Sequence, residues 1–265
     1  MTGLIRELVE SLSNTLRDER LEDVRVGIFY TGVKLSSGHA GVAYTMVRGL
    51  TEAACCPKVP MAGELSGMSA AKAIELAEEE DTILSAVGIA TINAASQSLI
   101  FGQMGCRYNV LVGYDALDAV SIKPSDSVVM VGAFPPYVRR LVQNVKNLTV
   151  FDDNKSALKE LGLPTEPPVS LERSLKDATV TIITGSAFVN KTIERLLELS
   201  GNAREVLVVG PTASMIPDPL FKRGVTVVGG IRITDVERML RVVSEAGGTR
   251  ALLRTCSERY TIVRN

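Results

Sequence analysis

Histidine, cysteine and aromatic residues are scarce in this chain of 265 residues, and its charge is almost balanced. His39 is the only histidine, so one subunit cannot build a multi-histidine metal centre or two separate proton relays. The four cysteines are Cys55 and Cys56, which are adjacent, and the isolated Cys106 and Cys256. No C-x-x-C pair exists, which excludes a zinc knuckle, and four cysteines are too few for a disulfide-stapled scaffold. Two readings of the thiols stay open: incidental or buried side chains, or a soft-metal site built on Cys55-Cys56. With 29 Lys+Arg against 30 Asp+Glu, no bulk attraction to nucleic acid exists. Also absent are a Walker A motif, an H-E-x-x-H pair and a G-x-S-x-G elbow.

What is present is a chain rich enough in apolar residues, at 46%, to bury a substantial core. Arg6, Glu7 and Glu10 interrupt the N-terminal apolar residues as no signal peptide would allow, so a cytoplasmic protein is expected. Thr82 to Cys106 carries no charged side chain and is long enough to cross a bilayer. Asn93, Gln97, Gln103 and the interrupting Gly88, Gly102 and Gly105 favour a small-residue helix buried in a protein core instead, so no membrane partner is expected.

The first 122 residues read as a small α+β domain. Leu4, Ile5, Leu8, Val9, Leu12 and Leu16 recur at helical spacing. Val24–Tyr30 reads as one strand, Lys34–Gly41 as a turn-rich loop, and Val42–Val47 as a returning strand. A helix from about Ser69, carrying Ala73, Ile74 and Ala77, and the uncharged helix after Thr82 complete it.

From residue 123 to 265 strands and helices alternate. Nearly continuous apolar strands are expected at Ser127–Val131, Leu148–Asp152, Thr179–Thr184, Glu205–Val209 and Val225–Val228. Helices are expected between them, the last opening with Thr234 as N-cap and Glu237 at N3, and stopping at Gly247-Gly248. This pattern predicts a Rossmann-like, doubly wound, mostly parallel sheet.

Ligands of such sheets bind beyond the carboxyl ends of the strands. Three loops leave those ends. The first contains Gly132, Phe134, Pro135 and Pro136; its prolines remove N–H donors that a diphosphate would need. Asp152 stands about 20 residues on, either as a ribose-binding acid or as an ordinary turn residue. The second, Thr184-Gly185-Ser186 through Asn190, precedes a helix and suits either an anion or a simple Asn190 cap. The third, Gly210-Pro211-Thr212 through Asp218-Pro219, is stiffened by three prolines and reads as a rigid wall. In the first domain Lys34 and His39 are the candidate catalytic or donor groups, on a loop expected to close over the strand ends.

The runs Ile182–Ser200, Val208–Pro211, Leu220–Gly224, Gly229–Asp235 and Ala86–Ala94 resemble a two-domain heavy-metal chelation family. That resemblance implies an enolase-N-terminal-like α+β domain, a Rossmann-like domain and a cleft between them. It further implies a role in handling heavy metal, with a small molecule, a heavy metal or a metal complex as ligand or cofactor. Independently of the resemblance, Lys34, His39, Ser186 and Asp218 stand on loops expected to face one another and form a candidate donor set. A homodimer is the expected assembly. The competing readings are a nucleotide-dependent enzyme and a non-catalytic protein that binds a small anion.

Overall fold

The computed structural model describes residues 3–47, 59, 61–102, 107–164 and 170–264. Cys55, Cys56 and Cys106 lie outside these residues, so the proposed soft-metal pair does too.

Helix α1 (Leu4–Ser13) buries Leu4, Leu8, Val9 and Leu12, the apolar stripe seen in the sequence. A three-stranded antiparallel sheet follows in the order β1 (Leu21–Val26), β2 (Tyr30–Leu35), β3 (Ala40–Tyr44). The expected single strand Val24–Tyr30 is therefore broken into the end of β1, a turn at Gly27–Phe29, and the start of β2. Close packing is the reason: a side chain on Gly27 would place Cβ 2.2 Å from the Val243 carbonyl oxygen. The expected loop Lys34–Gly41 also contracts. Lys34 and Leu35 belong to β2 and Ala40-Gly41 to β3, so only Ser36–His39 turns. Gly41 lies flat on a helix, where a Cβ would sit 2.4 Å from Ala90 O.

That helix is α3 (Thr82–Phe101), reached through the short α2 (Ala70–Ala73) and a 3₁₀ turn at Ile74–Glu78. Asp81 caps it, its Oδ1 accepting from the N–H groups of Ile83 and Leu84. By length and composition α3 could span a bilayer, but it is almost wholly buried within the protein. Its lack of charge reflects a position between two layers.

The second sheet has seven strands in the order β4-β10-β9-β8-β7-β5-β6. They are β4 (Val110–Val112), β5 (Ser127–Val131), β6 (Asn147–Phe151), β7 (Val180–Thr184), β8 (Glu205–Val209), β9 (Val227–Ile233) and β10 (Ser257–Val263). Strands β5 to β9 run parallel, whereas β10 is antiparallel to β9 and to β4. The edge strand β4 thus comes from before residue 123. The remaining helices are α4 (Pro135–Asn144), α5 (Lys155–Glu160), α6 (Leu171–Asp177), α7 (Ile193–Leu199), α8 (Asp218–Phe221), α9 (Val236–Ser244) and α10 (Thr249–Thr255). Asp235, not Thr234, caps α9: its Oδ1 accepts from Arg238 N at 2.9 Å. The Thr234 N–H is instead tied to Cys256 O at the start of β10.

Side chains alternate across this sheet, and each set joins a different core. Val128, Met130, Ile182, Leu207 and Val227 meet Val138 and Leu141 of α4 and Leu158 of α5. Val129, Ile183, Val208, Val228 and Tyr260 share one continuous core with Leu8 and Leu12 of α1, Val33 of β2, and Ile89 and Ile92 of α3. The first half of the chain therefore supplies much of the layer that covers one face of the large sheet.

Candidate functional site

Because β5, β7 and β8 run parallel, the loops that follow them emerge at one edge, and glycines bring them into contact. Gly132 (φ +88°) approaches β7 so closely that a Cβ would lie 2.6 Å from Thr184 Cβ. A Cβ on Gly185 would lie 2.6 Å from Ala213 N, and one on Gly210 (φ +114°) 3.7 Å from the Phe134 ring. Gly132, Phe134, Thr184, Gly185, Ser186, Gly210, Pro211 and Thr212 are thus gathered as the strand-end rule requires.

Asp152 belongs to the same edge, but its carboxylate holds the first loop. Oδ2 accepts from Ala133 N and Oδ1 from Asn154 N, each at 2.7 Å. That geometry fits the turn-forming reading rather than a ribose-binding acid. Pro135 takes the first position of α4, where a missing N–H costs nothing. The Phe134 ring is partly exposed and packs on Tyr137 with ring centroids 5.6 Å apart.

The second loop departs from the expected helix entry. Gly185–Phe188 forms a 3₁₀ turn, and α7 begins only at Ile193, with Asn190 Oδ1 accepting from Thr192 N and Thr192 Oγ1. Thr184 Oγ1 accepts from Ser186 N and lies 3.1 Å from Ser186 Oγ. The hydroxyls of these two half-buried residues form a small polar pair at the edge. Lys191 (φ +62°) turns away and donates to Ala77 O and, at 2.5 Å, to Ser85 Oγ. Burial pulls its pKa down to about 8, against the opposing pull of Glu80, Glu78 and Glu79.

In the third loop, Pro211 through Pro217 are buried. Thr212 Oγ1 accepts from Tyr44 N at 2.9 Å, and Thr212 O accepts from Asn93 Nδ2 at 3.0 Å. Asn93 Nδ2 also donates to Val42 O at 2.8 Å, while its Oδ1 is buried without a partner. Ser96 Oγ accepts from Ile216 N, and Gln97 bonds Ile231 O and Ile233 N. The polar residues that dilute the apolar helix α3 therefore stitch the two halves together.

Three expected participants lie elsewhere. Lys34 Nζ sits 2.9 Å from both Glu22 and Glu237, and hydrogen bonds to these carboxylates hold its pKa well above the usual lysine range. His39 is exposed at the β2–β3 turn, on the same side as Glu19, which accepts from Ser36 Oγ and Ser37 N. Asp218 accepts from Arg107 and from the Tyr108 hydroxyl. What meets the strand ends from the first half is the end of β3 at Tyr44, not the Lys34–Gly41 segment. Sequence reasoning missed Tyr44, Lys191 and the role of Asn93; an amide in the middle of a charge-free helix was the available signal.

Among the described residues no three His, Cys, Asp or Glu side chains are placed to hold a metal ion. The described donor set does not fit a bare heavy-metal ion. Two open surface concavities, of about 410 and 330 Å³, lie away from the strand ends. The first lies beside β6 and α6, the second between Leu117–Pro124 and α4.

Two family models, each described as "Putative heavy-metal chelation", match residues 9–96 and 115–262. An uncharacterized protein of Methanocaldococcus jannaschii is 28% identical over 193 residues, covering 71% of this chain and 70% of its own. A crystal structure of a protein of unknown function from Pyrococcus horikoshii superposes with a TM-score of 0.80 at 22% identity, covering 99% of this chain and 100% of that one. A second, from Desulfitobacterium hafniense, gives 0.76 at 22% identity, covering 98% of both chains. At that identity the two structures establish the shared two-part α/β fold.

Proposed function

We propose, from the premise that this chain belongs to the family described as "Putative heavy-metal chelation", that it binds an organic small molecule or an already coordinated metal complex at the strand-end edge. The observation that carries this reading is the convergence of the three loops on one another and, through Thr212, on Tyr44 and Asn93 of the first half. The edge offers the Thr184–Ser186 hydroxyl pair, the partly exposed Phe134 ring and a closely packed glycine backbone, a mixture suited to an organic ligand. Metal cargo whose coordination is completed by its own organic ligand needs few protein donors, which agrees with the donor set described.

The test is calorimetric titration of the full chain with a divalent ion alone, an organic chelator alone and the preformed complex. The complex or the free chelator should bind, and Phe134→Ala and Ser186→Ala should each weaken that binding about tenfold. Stoichiometric binding of the bare ion, unchanged in both variants, would count decisively against the proposal.

A further inference from the structure

Strand β1 is one edge of the three-stranded sheet, and among the described residues no strand pairs with its outer side beyond Leu21. At Leu21 that side is taken: Leu21 N donates to Met68 O, and Leu21 O accepts from Gly67 N. At the hairpin end Gly27 N donates to Tyr30 O, so the backbone groups of Gly27, Arg25 and Asp23 face β2. Those of Val24 and Val26 therefore point outward. No proline or lysine guards this edge, and it runs into an apolar tip where Val26 is 40% exposed, Ile28 61% and Phe29 47%.

The charges along the edge complement themselves in one register. Strands related by a twofold axis run antiparallel, and only registers that oppose outward-facing residues form a ladder. An axis at Asp23 sets Asp23 against its own copy, and an axis at Arg25 does the same to Arg25; both oppose like charges. An axis at Val26 carries the ladder off the strand at Gly27, and positions nearer Leu21 are closed by Gly67 and Met68. An axis at Val24 instead sets Asp23 of each copy opposite Arg25 of the other. Within one copy these two side chains already form a two-point pair, 2.7 Å at each contact, on one face of the strand. The twofold axis joins two such pairs into a ring of alternating charge. The same register sets Gly27 opposite Leu21, which brings Ile28 and Phe29 to the Gly67-Met68 step of the other copy, where Met68 is a partly buried apolar side chain.

We propose that β1 pairs with β1 of a second copy of this chain about a twofold axis at Val24, fusing two three-stranded sheets into one of six strands. Main-chain hydrogen bonds at Val24 supply the join, and the Asp23–Arg25 contacts fix its register. A second copy is the occupant because this edge complements itself in charge and carries, at Gly67-Met68, the step that receives its own apolar tip. The pairing does not depend on the proposed ligand site, and its readouts are mass and amide exchange rather than ligand binding.

The experiment is sedimentation equilibrium of the full chain over a concentration series, in which a dimer is expected. Asp23→Arg and Arg25→Asp should each raise the dimer dissociation constant at least about tenfold, because each opposes like charges twice. An equimolar mixture of the two variants should recover the dimer, since the basic positions of one then face the acidic positions of the other. Val24→Pro removes an outward N–H from an edge strand and should weaken the dimer as well. Circular dichroism verifies folding of the variants. In the unaltered chain, amide exchange across Leu21–Val26 should slow as concentration rises, a readout that needs no variant. A chain monomeric at every concentration, a dimer as tight in the variants as in the wild type, a mixture that stays monomeric, or exchange independent of concentration would each overturn the proposal.

Discussion

Asn93 and Thr212, 119 positions apart in the chain, are joined by a buried hydrogen bond of 3.0 Å from the Asn93 amide to the Thr212 carbonyl. The same amide nitrogen holds Val42 O, so one side chain links α3, β3 and the third strand-end loop. Replacing it with leucine removes both bonds and strands two acceptors. Asn93→Leu should cost about 2–5 kcal/mol, read from the denaturant midpoint. It should also weaken ligand binding at the strand ends, because Thr212 loses one of its two anchors to the first half. A loss below about 1 kcal/mol would mean that other contacts fix the loop.

Gly88 makes a prediction of reversed sign. In an exposed helix Gly→Ala normally stabilises by about 1 kcal/mol. Here a Cβ would lie 1.9 Å from Ala77 N and 2.5 Å from Ala77 Cα, backbone atoms that cannot move independently. Gly88→Ala should therefore destabilise by about 3 kcal/mol or more. A neutral or stabilising result in thermal unfolding would show that the 3₁₀ turn at Ile74–Glu78 yields easily.

Lys191 should leave a signature in alkaline solution. Burial lowers its pKa to about 8 in the folded protein, against 10.5 for an ordinary lysine. Below pH 8 both states hold the proton, and the cost of burying the charge is fully present. Between pH 8 and 10.5 the folded state binds fewer protons than the unfolded one, so stability rises with pH. Subtracting the profile of Lys191→Met from that of the wild type isolates this rise. A flat difference across the interval would refute the assignment.

Asp126 acts in the opposite range. Its two oxygens accept from Arg204 Nη1 and Nη2 at 3.0 and 2.9 Å, with further donors at Lys123 N and Thr179 Oγ1. The Arg204 guanidinium is the leading cause that holds this carboxyl well below the usual range. Its stabilisation is present above about pH 4 and is lost as pH falls through the depressed folded value. Arg204 is 41% exposed, which screens the pair, so Asp126→Asn should cost about 1–3 kcal/mol at neutral pH. Acid unfolding of the variant should show correspondingly less dependence on pH below 4; an identical acid limb would contradict this.

One core containing Leu8, Val33 and Ile89 together with Val129, Ile183 and Val208 predicts a single unfolding transition. Calorimetry should show one peak for the full chain. Two separated peaks would mean that the layers are held less by this shared core than by their own packing.

Local sequence determined the parts whose character needs no distant partner. The apolar runs of β5 and β8 are buried on both faces, so their boundaries could be read as continuous stretches, Ser127–Val131 and Glu205–Val209. Parallel strands also dictate that their following loops share an edge, which placed Gly132, Thr184 and Gly210 together before any geometry was known. The charge-free stretch from Thr82 declared a buried helix. Tertiary structure decided whatever depended on a partner far along the chain. Val24–Tyr30 is apolar enough for one strand, and only the packing of Gly27 on Val243 makes it a turn. Strand β10 carries the adjacent charged residues Glu258 and Arg259 and becomes a strand by pairing with β9 and β4. Lys34, His39 and Asp218 have suitable chemistry, but carboxylates, solvent and Arg107 occupy them away from the strand ends. Asn93, Ser96 and Gln97 looked like polar dilution of a helix. Their meaning lay in the carbonyls and N–H groups of a loop and of strand β9 more than 100 residues away, because a buried polar group is defined by the partner the fold brings to it.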